Sequence, residues 1–377
     1  MATATSPITG AGLKPAGMKW PEQIKYVQEL AESGVKLLPP QYIKFEQGQA
    51  LHEPTVVAPP QKLPPVIDMF DINGASGTAE KKAMLEMLGS ACRQWGIFQV
   101  VNHGIPPALL DEVKRVSREF FDLPMEEKLK YANNPVTYEG YGNRTGVQEG
   151  STLDWNDYFY HFIRPFSAIN GQKSWPHQPE EYRTVISEYG EKVVELCEAL
   201  LSIFSEDLGL EKKDTLLESL GGDEELGAGY RVNFYPKCPQ PELALGLSPH
   251  TDPGAMTVLL QDQVSGLQLK KDGVWIPIPS RQDALTVLLA DQLEILSNGI
   301  YKSVNHRSTV NSKKERMSIA IFIHPEGNKM IGPLEEVVKK SGRSPLYNEM
   351  TFNEYRIFIR TLGLKGQAIL SSRVINT

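Results

Sequence analysis

Five residues in the second half of the chain have types and spacings suited to chemistry: His250, Asp252, His306, Arg316 and Ser318. In Ser248-Pro249-His250-Thr251-Asp252 the histidine and the aspartate stand two apart. On an extended segment such residues project to the same side, so both can reach one ion. His306 supplies a second imidazole. Two imidazoles and a carboxylate cover one face of an octahedral ion, leave the other positions open, and suit non-haem Fe(II). Zinc more often takes a tetrahedral site with at most one open position. Each piece alone has an ordinary alternative: an isolated His-x-Asp reads equally as a hydrogen-bonded surface pair, and an isolated histidine as a satisfied strand residue.

The third element lies ten residues past His306, at Arg316-Met317-Ser318. Strand alternation over this run puts Met317, Ile319, Ile321 and Ile323 on one apolar face. Arg316, Ser318, Ala320, Phe322 and His324 then share the other. A buried guanidinium needs an anion, and its planar fork matches a carboxylate. No acidic residue lies on that face, which leaves a ligand as the partner, or a structural salt bridge to a distant acid. Tyr230–Tyr235 repeats the pattern, with Val232 and Phe234 facing the core and Arg231, Asn233 and Tyr235 opposite. Three hydrogen-bonding side chains in a row are costly in a core and useful on a cavity wall.

These residues need strands to hold them. From Tyr230 onward short β-prone runs alternate with Gly, Pro, Asn and Asp turns: Tyr230–Tyr235, Met256–Gln261, Leu267–Lys270, Trp275–Ile278, Ala284–Leu289, Tyr301–His306 and Arg316–Ile323. That spacing predicts a sandwich or barrel, with an eight-stranded jelly roll as one solution. Upstream, apolar stripes predict helices over Met84–Trp95, Leu109–Phe121 and about Glu180 to Leu208. Further helices are expected around Trp20 to Ala31, over Leu334 to Lys340 and over Phe352 to Thr361. Short strands are expected at Val66–Asp68 and Ile97–Asn102. The fold class is therefore α+β: a double-stranded β-helix (jelly-roll) core flanked by N-terminal and C-terminal helices. The expected divisions are an extension (1–60), a helical and β domain (61–225), the jelly-roll core (226–328) and a helical cap (329–377).

The 377 residues are 41% hydrophobic and 23% charged, which describes a folded chain and not a disordered one. A formal charge of −7 argues against a nucleic-acid or anionic-membrane footprint. No stretch is apolar for long enough to span a bilayer, and no secretory signal opens the chain. Cys92, Cys197 and Cys238 are odd in number and lack paired spacing, so a reducing cytoplasm is the expected location. Cys92 and Cys197 read as core residues, and Cys238, in a Pro-Lys-Cys-Pro turn, as partly exposed.

Asn233-Phe234-Tyr235-Pro236-Lys237-Cys238, His250-Thr251-Asp252, His306 and Arg316-Met317-Ser318 together resemble the signature set of the plant 2-oxoglutarate- and Fe(II)-dependent oxygenases of specialised metabolism. Trp95-Gly96-Ile97-Phe98-Gln99 and Asn102-His103-Gly104-Ile105 resemble that family's N-terminal region, so the likeness runs from about Pro65 to Gly366. It implies an enzyme using Fe(II), 2-oxoglutarate and O2, with ascorbate as reductant. Iron would sit on His250, Asp252 and His306. The distal carboxylate of 2-oxoglutarate would meet Arg316 and Ser318, oriented by Tyr235 and Asn233. His103 would be structural. Two departures are minor: Phe234 replaces a commoner tyrosine, and Ala290-Asp291 stands where Gly-Asp is usual.

The prime substrate is less legible. Strand geometry places Phe322 and His324 beyond the co-substrate, and the resemblance adds Tyr141 and Arg231. Those positions favour an aromatic small molecule, with a flavonoid hydroxylated or desaturated as in flavone synthase or anthocyanidin synthase. The alternative uses Arg356 and Arg360, four apart on one helix face. With Arg231 they would receive a carboxylate, as in the jasmonate-induced oxygenases of the same family; a solvated helix face is the bland reading. Two other classes are a jelly-roll binding protein that has lost the reaction, and a zinc hydrolase. Against the first stand the triad with Arg316 and Ser318, and against the second the lack of a general-base carboxylate.

Overall fold

The structure, a computed structural model, describes residues 24–44, 55, 59, 63–70, 79–135, 137, 139–144, 150–165, 174–362 and 368–375. In chain order these form α1 (Val27–Glu32), β1 (Val66–Asp68), α2 (Ala79–Gln94), β2 (Ile97–Val101), α3 (Pro107–Asp122), α4 (Met125–Leu129), β3 (Gly140–Gly142) and β4 (Asp157–Arg164). There follow α5 (Tyr182–Asp207), α6 (Thr215–Leu220), α7 (Gly222–Glu225), β5 (Gly227–Tyr235), β6 (Leu247–His250), β7 (Met256–Gln261), β8 (Leu267–Lys271), β9 (Val274–Pro277) and β10 (Leu285–Leu289). The chain closes with α8 (Asp291–Leu296), β11 (His306–Ser308), β12 (Arg316–His324), β13 (Met330–Ile331), α9 (Glu335–Ser341), β14 (Met350–Thr351), α10 (Phe352–Leu362) and α11 (Ala368–Ser371).

Eight strands form one sheet in the order β1-β2-β10-β7-β12-β5-β4-β3, and four form a second, β6-β11-β8-β9. This is the expected jelly-roll core in an α+β setting. β12 lies inside the large sheet between β7 and β5, so both of its edges are paired. Its alternation is as the sequence requires. Met317, Ile319, Ile321 and Ile323 join a core with Val113, Val116, Tyr189, Val193 and Phe204 of α3 and α5. The space between the two sheets is filled at one end by a separate cluster that includes Leu259, Leu267, Leu269, Ile276 and Leu288. At the other end it opens into a cavity.

Strands from the first half of the chain are built into this large sheet. β1 and β2 extend it beyond β10, while β4 pairs antiparallel with β5 along most of its length. β4 was not legible as a strand. Its two faces differ little in polarity, since it alternates aromatic rings on both sides, and the period-2 signal is faint. The expected helix from Trp20 to Ala31 is α1; its first residues, before Ile24, lie outside the described residues, as do most of the N-terminal extension and the coil up to Pro65. Two backbone N–H groups at the start of α1, of Val27 and Gln28, donate to the buried Asp157 carboxylate at 2.8 Å each.

Two expectations are corrected. Tyr301–His306 is not a strand: residues before His306 are irregular, and His306 opens β11 instead of closing a strand. The cause is a turn at Asn298 and Gly299, with φ of 50° and 76°, followed by bonds that leave the ladder. The Lys302 N–H donates to the Cys92 carbonyl, and the Tyr301 hydroxyl to Asp207 at 2.6 Å. Cys238 is fully buried, packed with Trp155 and Leu243, and not partly exposed. No helix among the described residues is long and apolar enough to cross a membrane.

Candidate functional site

β6 and β11 are neighbours in the small sheet, and their register sets His306 directly opposite His250. Their rings approach to 4.2 Å between centroids. Asp252 follows β6 by two residues, and its Oδ1 stands 3.4 Å from His250 Nε2 and 3.9 Å from His306 Nε2. One donor atom from each of the three lies within 4.8 Å of the others, close enough for one ion. Each imidazole has its far nitrogen against a backbone carbonyl: Nδ1 of His250 on Ser248 at 2.8 Å, Nδ1 of His306 on Val304 at 3.1 Å. That arrangement fixes the tautomer and turns both Nε2 lone pairs inward. The Thr257 hydroxyl donates to Asp252 Oδ2 at 2.5 Å.

Charge is tuned to the same end. Burial pushes the His306 imidazole down to about 4, helped by His250 beside it, so the ring is neutral and can donate its lone pair. Burial would raise the Asp252 carboxyl, but His306, His250 and the Thr257 hydroxyl outweigh it and hold Asp252 well below the usual carboxylate range. Two imidazoles with inward-facing lone pairs and one carboxylate suit Fe(II).

The cavity, of about 210 Å³, is lined by these three residues and by Arg316, Ser318, Ala320, Phe322 and His324, the whole predicted face of β12. Arg316 is buried. Its guanidinium donates to Gln261 Oε1 at 3.0 Å, to Ser308 Oγ at 3.1 Å and to the Val264 carbonyl at 3.1 Å, and lies over the Tyr235 ring. Every one of these acceptors is neutral. Among the described residues no carboxylate pairs with it, which suits a ligand anion. Gly266 makes room: a Cβ there would sit 2.8 Å from the Arg316 side chain.

Arg231 and Asn233 face the cavity from β5, opposite Ala320 and Ser318. The Arg231 Nε donates to Asn233 Oδ1 at 2.7 Å, and the guanidinium rests 4.0 Å above the Tyr158 ring. Its Nη2 is buried without a hydrogen-bond partner. His324 Nε2 is likewise buried without a hydrogen-bond partner, while its Nδ1 lies against the Pro325 carbonyl. Arg356 and Arg360 of α10 reach the same cavity, with Arg356 over the rings of Phe162 and Phe352. Glu354 does not pair with Arg356; it accepts the N–H and hydroxyl of Thr351.

Tyr141 is not brought to the site. Its ring lies in the main core, stacked on Tyr26, and its hydroxyl bonds Asp157 at 3.2 Å. The sharp turn of φ +109° at Gly140 and the pairing of β3 with β4 turn it inward, away from the cavity. Its place on the wall is taken by Tyr158 and Tyr160, which sequence reasoning missed. They stand opposite Asn233 and Arg231 in register. The available signal was their two-residue spacing, readable only once β4 is recognised as a strand. His103 accepts the Ile105 N–H within its own turn, as a structural histidine.

With this geometry in view, residues 227–325 match the 2OG-Fe(II) oxygenase superfamily, and residues 65–178 match the non-haem dioxygenase in morphine synthesis N-terminal family. The chain is 47% identical to jasmonate-induced oxygenase 2 of Arabidopsis thaliana over 359 residues, covering 94% of both proteins. It is 39% identical to flavonol synthase 1 of Crocosmia x crocosmiiflora, covering 89% of this chain and 97% of that protein. A crystal structure of JOX2 in complex with 2OG, Fe and JA superposes with a TM-score of 0.85 at 44% identity, covering 95% of this chain and all of that one. The chain therefore belongs to the 2OG-Fe(II) oxygenase superfamily, and is an oxidoreductase that works with Fe(II) and 2-oxoglutarate.

Proposed function

We propose that this enzyme oxidises a small-molecule carboxylate of the jasmonate type. In this reading His250, Asp252 and His306 hold the iron, and Arg316 with Ser318 takes the distal carboxylate of 2-oxoglutarate. Arg231, Arg356 and Arg360 receive the carboxylate of the prime substrate. The observation that carries it is the buried, unpartnered Nη2 of Arg231 in a cavity that Arg356 and Arg360 also line. A desolvated cation of this kind calls for an anion, and a guanidinium fork binds a carboxylate with direction as well as charge. The relatives at 45–47% identity, all named jasmonate-induced oxygenases, support the same ordering of the two substrate readings.

When bound, iron with 2-oxoglutarate and O2 supplies the oxidising power, as 2-oxoglutarate is decarboxylated to succinate and one oxygen atom passes to the substrate. This chain's residues do the rest. The Tyr235 ring stands 4.9 Å from the Arg316 guanidinium, and Asn233 holds Arg231 by its Nε, so both cations are set before any ligand arrives. Phe322 and Phe352 give the substrate an apolar surface and exclude water.

The flavonoid reading stands second, favoured by the aromatic wall of Tyr158, Tyr160 and Phe322. One screen separates the two. Purified protein with Fe(II), ascorbate and 2-oxoglutarate is given jasmonic acid, a flavanone and a flavonol, and succinate is measured. Succinate that depends on jasmonic acid is the expected result, with KM for it raised about tenfold or more in Arg231→Leu. Succinate with a flavonoid and none with jasmonic acid reverses the order.

A further inference from the structure

Asp291, the first residue of α8, is buried and does not line the cavity described above, yet three segments of the site converge on its carboxylate. Its Oδ2 accepts from the Thr251 hydroxyl at 3.3 Å, and Thr251 sits between the candidate ligands His250 and Asp252. Its Oδ1 accepts from the Ser303 hydroxyl at 2.6 Å, three residues before His306. Oδ2 also accepts from the Tyr355 hydroxyl at 2.6 Å, and Tyr355 neighbours Arg356 on α10. The Asp291 N–H donates to the Asp252 carbonyl at 3.0 Å.

The next residue runs a parallel connection. Gln292 donates from its side chain to the Pro253 carbonyl at 2.7 Å and from its backbone to the Gly254 carbonyl at 2.8 Å. Its Oε1 accepts from Arg373, near the end of the chain, whose guanidinium also lies over the Tyr355 ring. The loop after β6, which carries Asp252, is thus held on one side by Asp291 and Gln292, on the other by Thr257 and by the Ala255 N–H on the Ile323 carbonyl, and Asp291 and Gln292 are held in turn by the C-terminal segment.

We propose that Asp291 is a positioning residue for the metal site: its carboxylate fixes the segments bearing Asp252 and His306 relative to each other, and ties both to the helix that carries Arg356. The geometry gives the reason. His306 itself is paired with His250 and Leu269 at the start of β11, but the segment that leads into it has no ladder, and the loop containing Asp252 lies beyond the end of β6, so sheet pairing does not by itself fix Asp252 relative to His306. Partners of this kind orient ligating side chains, and losing one weakens metal affinity about 10- to 100-fold. A carboxylate accepting three hydroxyl bonds at once is a fixed node, since the three can be satisfied together only if all three segments keep their places. The inference rests on His250, Asp252 and His306 being the metal ligands.

The test is Co(II) binding to the metal-free full chain, followed by calorimetry and by the Co(II) absorption bands, with thermal unfolding of each metal-free variant alongside. Wild type binds one Co(II), and His250→Ala loses it; undiminished binding in His250→Ala would sink the triad reading itself. Asp291→Ala is expected to weaken Co(II) binding about tenfold or more. Ser303→Ala and Tyr355→Phe, which remove one hydroxyl each and leave the packing in place, should weaken it severalfold and shift the absorption bands. Tyr355 touches no ligand, so an effect there reports the tie to α10. If wild type binds in the His250-dependent way, yet Ser303→Ala and Tyr355→Phe both match it in affinity and spectrum while melting at its temperature, the inference is overturned. Those two variants decide the matter even if Asp291→Ala does not fold.

Discussion

At the scale of single residues, the site works by leaving chosen polar groups without a protein partner of opposite charge. Arg316 has hydrogen bonds to three neutral acceptors and, among the described residues, no carboxylate. Under the proposed function its full interaction is reserved for a ligand anion. Truncating one member of a buried, hydrogen-bonded charge pair costs about 2–5 kcal/mol, which at room temperature is roughly 30-fold or more. Arg316→Ala should accordingly raise KM for 2-oxoglutarate by at least about 30-fold, with a smaller change in kcat at saturation. Direct titration of 2-oxoglutarate checks it, and unchanged affinity would remove Arg316 from its role. The histidines follow a complementary rule: their outer nitrogens are satisfied by carbonyls, so only the inner lone pairs remain available.

At the scale of elements, two antiparallel ladders decide what the cavity wall presents. β12 and β5 run side by side from Arg316↔Tyr235 to His324↔Gly227, and each contributes alternate residues to the wall. Where β5 has glycine, its neighbours use the space. Gly229 has the Tyr160 ring over it, and a Cβ there would stand 2.4 Å from the Tyr160 hydroxyl. Gly229→Ala must therefore displace Tyr160, on the substrate side and away from the metal. The expected outcome is a fall in kcat/KM for the prime substrate and a loss of about 1–3 kcal/mol in unfolding free energy, with 2-oxoglutarate affinity held. A variant with wild-type kinetics would show that the wall at Tyr160 does not bear on the substrate. Most of the wall was legible from β12 and β5, because an apolar row on one face forces the other residues together. Tyr158 and Tyr160 were not, because aromatic side chains on both faces of β4 hide its alternation.

At the scale of the whole molecule, the sheets are closed by chain segments far from them in sequence. Asp157 on β4 caps α1, with Tyr141 as a further donor. Burial raises its carboxyl from 3.8 to about 6, against the opposing pull of the Gln28 and Val27 N–H groups. The folded value lies above the unfolded one, so the stability linked to this group is fully present below about 3.8 and is lost as pH rises through about 6. Measured by urea unfolding, wild type should gain on Asp157→Asn by about 2 kcal/mol between pH 7 and pH 4. A difference that stays flat over that range would place the titration elsewhere. The C-terminal segment closes the other side through Arg373, which donates to the carbonyls of Ile331 and Asn348 from a fully buried position.

The sequence by itself determined the class of fold and which residues are candidates for metal and anion binding, because each follows from short-range periodicity: His250 and Asp252 from a two-residue spacing, Arg316 and Ser318 from the alternation of one strand. Tertiary structure alone decided how these pieces meet. The pairing of β6 with β11 set His306 against His250, although His306 had been expected at the end of a strand that does not form. The turn at Gly140 sent Tyr141 into the core, and the pairing of β4 with β5 put Tyr158 and Tyr160 on the wall. Asp291 stood in plain view beside Ala290, but a buried carboxylate shows its partners only when residues 12 to 64 positions away are brought to it. Periodicity tells which way a side chain faces along its own strand. What it faces is decided by contacts between segments distant in sequence, and for such contacts one chain carries no local signal.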